Sequence, residues 1–462
     1  MNEEHIVRRR DDEEKTIKEA LSAVRSRHVT EPVSPEEAVA MFRTVIGAGR
    51  NGLGIDEESG MPQRPSETVH LKESAGRILS EDIYAPFDLP PFSKAAMDGV
   101  AVRLKADDIS GTSTEIGFDV RAMIGAGEIY KEELFPGESV TIMTGAQIPE
   151  GTDCIVMREH CRNEGGEDDE RVFVPKALLI AGKHIIRKGE EIKAGTRLFR
   201  RGRKIDAQVC AALAAFGIAN VPVYRKYKVG ILSTGAELMS VECTPEEGKI
   251  YDSNRFWLRE LLRDMDCEVI DCGIHTDAPS FCFMTNLAIR NSVRTCDVVI
   301  STGGVSAGYY DFLPSAYFNE NVEQLYGRLR IRPGAASYGG YVTKDENEAA
   351  RTGSFHDRTI VFGLSGNPTA AFVTFHLIVK PVLTGRMEVV RMECGGDIER
   401  KAGRERYIPA YTSITDGRAI CMPVAYDSSS GVTSLVDVKG LIRMPAGSTS
   451  IRKGELVDIV LC

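Results

Sequence analysis

The sequence predicts a multi-domain α/β plus β protein: a central parallel α/β domain, β-rich domains before it and a β-barrel-like domain after it. Three observations carry this prediction. Between residues 226 and 386, strand-length apolar runs alternate with helix-length amphipathic ones, the signature of a parallel sheet covered by helices. On both sides of that region, short alternating segments are punctuated by Gly and Pro, as small β modules require. The length of 462 residues, with 42% hydrophobic and 27% charged residues, is enough for several cores.

Taken in order, residues 1–30 are charge-dense and lack an apolar stripe, and are read as a separate extension. Residues 31–225 form the N-terminal linker and β-rich part. In it, SPEEAVAMF offers Ser34 as helix cap, Pro35 as first helical residue and Glu37 as the acid of a capping box. The Gly47–Ser66 stretch is rich in glycine and polar residues and reads as a flexible insertion. Segments such as PGESVTIMTGAQIPEGTDCIVM alternate like strands, and RKIDAQVCAALAAFG (203–217) reads as one helix closed by glycine. In 226–386 the strands are KVGILS, CEVIDCGI, DVVIS and TIVFGL, and the helices are NRFWLRELLRDM, SFCFMTNLAIRNSV and TAAFVTFHLIVKPVL. Residues 387–462 return to β character through RERYIPAYTSI, RAICMPVAY, GLIRMPAG and ELVDIVLC.

The formal charge of −10 and the absence of a long basic tract argue against nucleic-acid binding. The most apolar run, FVTFHLIVKPVL, is interrupted by His376, Lys380 and Pro381, too soon to span a bilayer. The N-terminus lacks the apolar core of a secretory signal, so a soluble cytoplasmic protein is expected. Eleven cysteines without a CxxC pair read as buried free thiols in a reducing compartment.

In an open parallel sheet, ligands lie beyond the carboxyl ends of the strands. Three such ends stand out: Ser233–Thr234–Gly235 followed by Glu237; Thr302–Gly303–Gly304 with Ser306 and then Asp311; and Ser365–Gly366–Asn367 ahead of Pro368. Glycines let backbone N–H groups approach a ligand, hydroxyls add donors, and a following helix adds its dipole, which together make a cradle for a phosphate or other oxyanion. Each loop taken alone is equally an ordinary strand–helix turn. Glu237, Asp252, Asp277 and Asp311 stand beside these donors. Acids next to a polyanion need a mediating cation, and Mg²⁺ suits carboxylates and phosphate oxygens. Asp252 has a second reading as a cap for the helix that follows it. Arg332, in IRPG, is either a cation for an oxyanion or a surface arginine.

These residues resemble a known family. STGAEL, IYDSN, DVVISTGGVSAGYYDF, IRPG and FGLSGNPTAAFVTF, in that order, with PPFSKAAMDGVAV and IMTGAQIPEGTDCIVMRE upstream and GLIRMPAG and GELVDIVL at the end, resemble the molybdopterin molybdenumtransferases, the MoeA family that includes the E domain of gephyrin. The resemblance runs from about Ser34 to the C-terminus. It implies insertion of molybdenum from molybdate into adenylated molybdopterin with release of AMP, in a homodimer whose site lies between one subunit's α/β domain and the other's AMDG-bearing domain. Contact with other cofactor-synthesis proteins is a further expectation. By this analogy Glu237, Asp277 and Asp311 manage Mg²⁺ and the phosphoanhydride; Gly303, Gly304 and Ser306 cradle the pterin phosphate. Arg332 and Ser365 face molybdate, while Asp98, Thr144 and Glu190 reach in from the partner. For Asp98 the alternative is a plain turn residue. The sequence departs from the family pattern at Ser93–Lys94–Ala95, at Ala236 where aspartate is common, at Ala335 where lysine is common, and in SGNP where PGNP is frequent. Two rival readings use the same fold: a pterin-binding scaffold without turnover, and a molybdopterin adenylyltransferase, which the extra β-domains disfavour.

Overall fold

The computed structural model describes residues 31–47, 62, 64–106, 108, 112–165, 170–276, 282–305, 312–344, 357–399, 403–424 and 431–462. The charged extension 1–30, residues 48–61 and 63 of the Gly47–Ser66 insertion, and Asp277, Ser306 and Asp311 lie outside the described residues. The chain forms two compact units: one holds residues up to Thr68, Gly76–Ser80 and Pro222–Cys462, the other Val69–Ala75 and Glu81–Val221.

The second unit is β-rich, as the Gly/Pro punctuation predicts. Its six-stranded sheet runs in the order Cys154–Met157, Gly99–Val102, Glu138–Ile142, Glu115–Ile124, Arg171–Pro175, Arg162–Glu164. Gly99–Val102 is buried on both faces: Val100 and Val102 pack with Phe118 and Val172, and Ala101 with Val140 and Ile155. That is the period-two alternation of a strand between two apolar layers. A two-residue strand, Lys94–Ala95, pairs antiparallel with Ile185–Ile186 and carries the chain into the AMDG turn. The predicted helix forms over Ala207–Ala215. The Asp206 carboxylate accepts from the Val209 N–H at 2.9 Å, and Gly217 leaves the helix at φ +64.

In the first unit a six-stranded sheet has the order Cys267–His275, Tyr227–Thr234, Val298–Thr302, Arg358–Leu364, Ala336–Thr343, Glu323–Arg328. The four strands read from the sequence are the parallel ones. Ala336–Thr343 is added antiparallel, and Glu323–Arg328 antiparallel to it in turn, so the sheet is mixed at this edge. Gly339 permits the edge pairing, because a Cβ there would lie 2.2 Å from the Tyr326 ring. Ile231, Ile300, Phe362 and Leu364 point to one core, and Leu232, Val299 and Val361 to the other, which explains the unbroken apolar runs.

Helix Pro35–Gly47 packs into the first of these cores through Ala38, Phe42 and Val45. Its predicted capping box is present: Ser34 N–H donates to Glu37 Oε2 at 2.7 Å, and Glu37 N–H donates to Ser34 Oγ at 3.2 Å. Helices Asn254–Asp264 and Cys282–Thr295 match the two read from the sequence. The third is modified: Pro368–Thr374 and Lys380–Thr384 are α-helical, but Phe375–Val379 is a π-turn. Pro381 has no N–H to donate one turn back, and a local change of period accommodates the loss.

The C-terminal strands close into a barrel. Glu405–Thr415, Arg418–Pro423, Val389–Cys394, Leu456–Leu461 and Gly440–Met444 pair in sequence, and the last pairs back onto the first. Strand Ile331–Arg332 adds to this barrel, parallel to Glu405–Arg406. No helix among the described residues is long and apolar enough to cross a membrane.

Candidate functional site

The three glycine-bearing loops predicted at the strand ends meet. Gly303 has φ +86, and a Cβ there would sit 2.1 Å from the Thr234 carbonyl oxygen. Gly304, at φ +61, lies over the Thr234 hydroxyl, and a Cβ on Gly366 would be 3.4 Å from Gly303 Cα. Bare backbone at Gly303 and Gly304 is therefore what allows the first two loops to pack on one another, and the third lies in ordinary contact with them.

The structure narrows which groups can face a ligand. Ser233, Thr234 and Thr302 were expected as hydroxyl donors, but all three are buried. Ser233 Oγ and Thr302 Oγ1 lie 3.0 Å apart in a mutual hydrogen bond, and Thr234 Oγ1 donates to the Thr302 carbonyl at 3.2 Å. Their physical role is to fasten two adjacent strand ends. Likewise the Gly235 N–H donates to the His275 carbonyl and the Gly303 N–H to that of Leu364, both at 3.0 Å. The amides of Gly304 and Gly366 have no hydrogen-bond partner among the described residues. Ser365 Oγ accepts from the Asn367 N–H at 3.2 Å. The Asn367 carbonyl begins the helix by accepting from Ala371, while its side chain makes no capping bond.

Glu237 is exposed, and its carboxylate folds over Gly235, where a Cβ would meet it at 2.7 Å. Among the described residues that carboxylate has no hydrogen-bond or ion-pair partner. An anionic oxygen donor of this kind fits a hard cation. No group of three His, Cys, Asp or Glu stands together among the described residues, which do not include Asp277 and Asp311.

Asp252 takes the second of its two predicted roles. It is buried, accepts from the Arg255 N–H at 3.3 Å and pairs with the Arg255 guanidinium at 3.3 Å, so it caps its helix. Its neighbour Asn254, which the sequence did not single out, reaches across the sheet end. Asn254 Nδ2 donates to the Gly366 carbonyl at 2.7 Å, and its Oδ1 accepts from Trp257 Nε1 at 3.1 Å. The only available signal was the placement of an amide residue at a helix start, which does not reveal a partner more than a hundred positions away.

Arg332 is exposed and stands at a cleft of about 530 Å³ lined with Pro333, Gly334, Ala335, Arg404 and Arg406. Arg404 and Arg406 come from the barrel and were not read as candidates. A Cβ on Gly334, which has φ +95, would fall 2.5 Å from Thr374 Oγ1 and 3.2 Å from the Ala370 carbonyl oxygen. This close approach fixes the IRPG turn against the helix that begins after Asn367. The cleft concentrates cationic side chains where an oxyanion is favoured.

In the β-rich unit, Asp98 and Thr144 are brought together. Asp98 Oδ1 accepts from the Thr144 N–H at 2.7 Å and from its hydroxyl at 2.6 Å. Those two donors, the hydroxyl foremost, hold the Asp98 carboxyl below its ordinary range. Glu190 is exposed and closes its own turn, accepting from the Arg187 N–H at 2.7 Å.

Comparisons with known proteins converge on one family. Residues 17–217 match the MoeA N-terminal region (domain I and II), 230–385 a probable molybdopterin binding domain, and 391–462 the MoeA C-terminal region (domain IV). The chain is 34% identical to the molybdopterin molybdenumtransferase of Bacillus subtilis (strain 168) over 409 residues, 86% of this chain and 90% of the relative. It is 32% identical to the Staphylococcus aureus (strain Mu50) protein of the same name, over 88% of this chain and 93% of the relative. Among solved structures, the molybdopterin biosynthesis MoeA protein of Pyrococcus horikoshii OT3 matches with a TM-score of 0.71 at 29% identity, covering 94% of this chain and all of that one. A second structure of the P. horikoshii protein matches at 0.73 and 27% identity, covering 93% of this chain and 99% of that one.

Proposed function

The chain belongs to the MoeA family of molybdopterin molybdenumtransferases, and on that premise we propose that it transfers molybdenum from molybdate to adenylated molybdopterin, with release of AMP. One observation supports this most directly: three anion-type loops converge at the end of the parallel sheet, and beside them the Glu237 carboxylate has no partner among the described residues.

In this reading the Gly304 and Gly366 amides hold phosphate oxygens of the substrate, which puts the anhydride next to Glu237. Glu237, with Asp277 and Asp311, would hold Mg²⁺, which when bound neutralises charge developing on the leaving phosphate. Arg332, at its arginine-lined cleft, and Ser365 hold the molybdate oxyanion. Holding both anions in fixed positions replaces a two-body encounter with an oriented one.

The protein would act as a cytoplasmic homodimer, with the loops of Asp98, Thr144 and Glu190 completing a partner's crevice, and would contact other cofactor-synthesis proteins transiently. Sedimentation tests the dimer.

The central test is AMP release from adenylated molybdopterin by the pure protein, with and without molybdate and Mg²⁺. Release that requires both supports the reading. Tight pterin binding without release would instead favour the scaffold, an alternative kept open by the uncharged Ala236 and Ala335. No release and no binding, beside an active relative, would sink both.

A further inference from the structure

We propose that Lys249 is a substrate-binding residue whose ammonium contacts the phosphoryl group of the bound nucleotide-bearing substrate. This rests on the functional reading above and adds a residue to it. Lys249 lies on no predicted motif position, and the three loops by themselves give no reason to select it.

Four observations carry the inference. Lys249 Nζ donates to the Ala236 carbonyl at 2.5 Å, so its charge is held at the first of the three loops. Its backbone is fixed relative to that loop. Ile250 N–H donates to the Glu237 carbonyl at 2.8 Å and Asp252 N–H to that of Met239 at 3.0 Å, in the parallel pairing of Leu238–Met239 with Ile250–Tyr251. Third, no carboxylate among the described residues forms an ion pair with Lys249, and residue 236, an alanine, supplies none. The fourth is its neighbour: Glu237 places a negative charge on the same loop.

An ammonium has three donors, and the carbonyl uses one. The other two have no partner among the described residues, and the loop that holds the exposed ammonium begins at Thr234, on which Gly303 and Gly304 pack, and bears the Glu237 carboxylate. A phosphoryl group bound at Gly304 and Gly366 meets the repulsion of that carboxylate unless a cation offsets it. Lys249 supplies a fixed cation at the loop that bears the carboxylate, independent of any metal. The loop carbonyl holds the ammonium in place, so little side-chain freedom is lost when substrate arrives.

The test measures binding of AMP and, separately, of molybdate to the full-length wild type and to Lys249→Ala and Lys249→Arg, by calorimetry at two salt concentrations. Unchanged Trp257 emission and urea midpoint certify folding of each variant. For AMP, Lys249→Ala is expected to weaken binding about three- to tenfold and to flatten its salt dependence, while Lys249→Arg recovers most of the loss. Molybdate binding should stay as in the wild type. In turnover, KM for the adenylated substrate should rise with kcat little changed. Equal AMP affinity in wild type and Lys249→Ala overturns the assignment while leaving the proposed function intact. Loss confined to molybdate overturns it as well. A wild type that binds neither ligand removes this inference together with the function on which it rests.

Discussion

Replacing Gly303 with alanine probes the packing that brings the loops together. Two penalties follow from the structure. At φ +86 an alanine occupies the left-handed region, which costs about 1–2 kcal/mol. Its Cβ would then lie 2.1 Å from the Thr234 carbonyl oxygen, where contacts under 3.0 Å essentially never occur. One loop must retreat by about 1 Å, at an overpacking cost of about 1–3 kcal/mol. The sum is about 2–5 kcal/mol. Gly366 provides the control: a Cβ there meets Gly303 Cα at 3.4 Å, an ordinary contact, at a backbone conformation open to alanine. Gly366→Ala should therefore cost well under ~1 kcal/mol. Trp257 is the only tryptophan in the chain and packs on Phe372 and Phe375 at 6.0 and 5.8 Å, so its emission reports on this unit. Urea titration should lower the midpoint of Gly303→Ala by on the order of 1 M, and the variant should lose AMP affinity as the loops part. Equal midpoints for the two variants would refute the close packing of Gly303 on Thr234.

Other perturbations give equally definite expectations. His376, in the π-turn, is buried between Phe372 and Phe375, neither ring nitrogen has a hydrogen-bond partner among the described residues, and burial lowers its pKa from 6.5 to about 3. The unfolded chain takes up this proton first, so the contribution to stability is intact above pH 6.5 and declines as pH falls toward 3, by up to ~1.4 kcal/mol per pH unit. His376→Leu should abolish that component of acid sensitivity, seen as a smaller fall in urea midpoint between pH 7 and pH 5; an unchanged fall refutes it. Asn254→Ala removes the donor to the Gly366 carbonyl and the acceptor for Trp257, and should cost about 1–3 kcal/mol with a shift in Trp257 emission. Thr144→Val deletes the hydroxyl that most lowers the Asp98 pKa, so the Asp98 titration followed by NMR should move up toward its ordinary range. Arg332→Ala should weaken molybdate binding, with less effect at high salt.

Much of this molecule was legible in its residue order because the governing interactions are local. The Ser34–Glu37 capping box and the Asp206 cap link positions three apart, and each forms as its pattern predicts. Three of the four parallel strands were legible because burial on both faces leaves an unbroken apolar run, while Cys267–His275, at the sheet edge and partly exposed, keeps polar residues in its run. The glycines at 303 and 304 signalled loops of special backbone, and both have positive φ. The antiparallel strand Ala336–Thr343 was missed because its glycines suit a neighbouring tyrosine ring and not an alternating pattern.

The division of labour among the site groups depends on partners distant in the chain. Residue order determined that hydroxyls and bare amides would stand at three strand ends. Tertiary structure decided that the hydroxyls of Ser233 and Thr302 bind each other across 69 positions, while the amides of Gly304 and Gly366 meet no partner among the described residues. It also joined Asn254 to Gly366 across 112 positions, set Lys249 against Ala236, and placed Arg332 beside the arginines of the barrel. A sequence states which donors and acceptors exist. Which of them are satisfied internally, and which remain for a ligand, is determined only when folding brings distant groups within about 3 Å of one another.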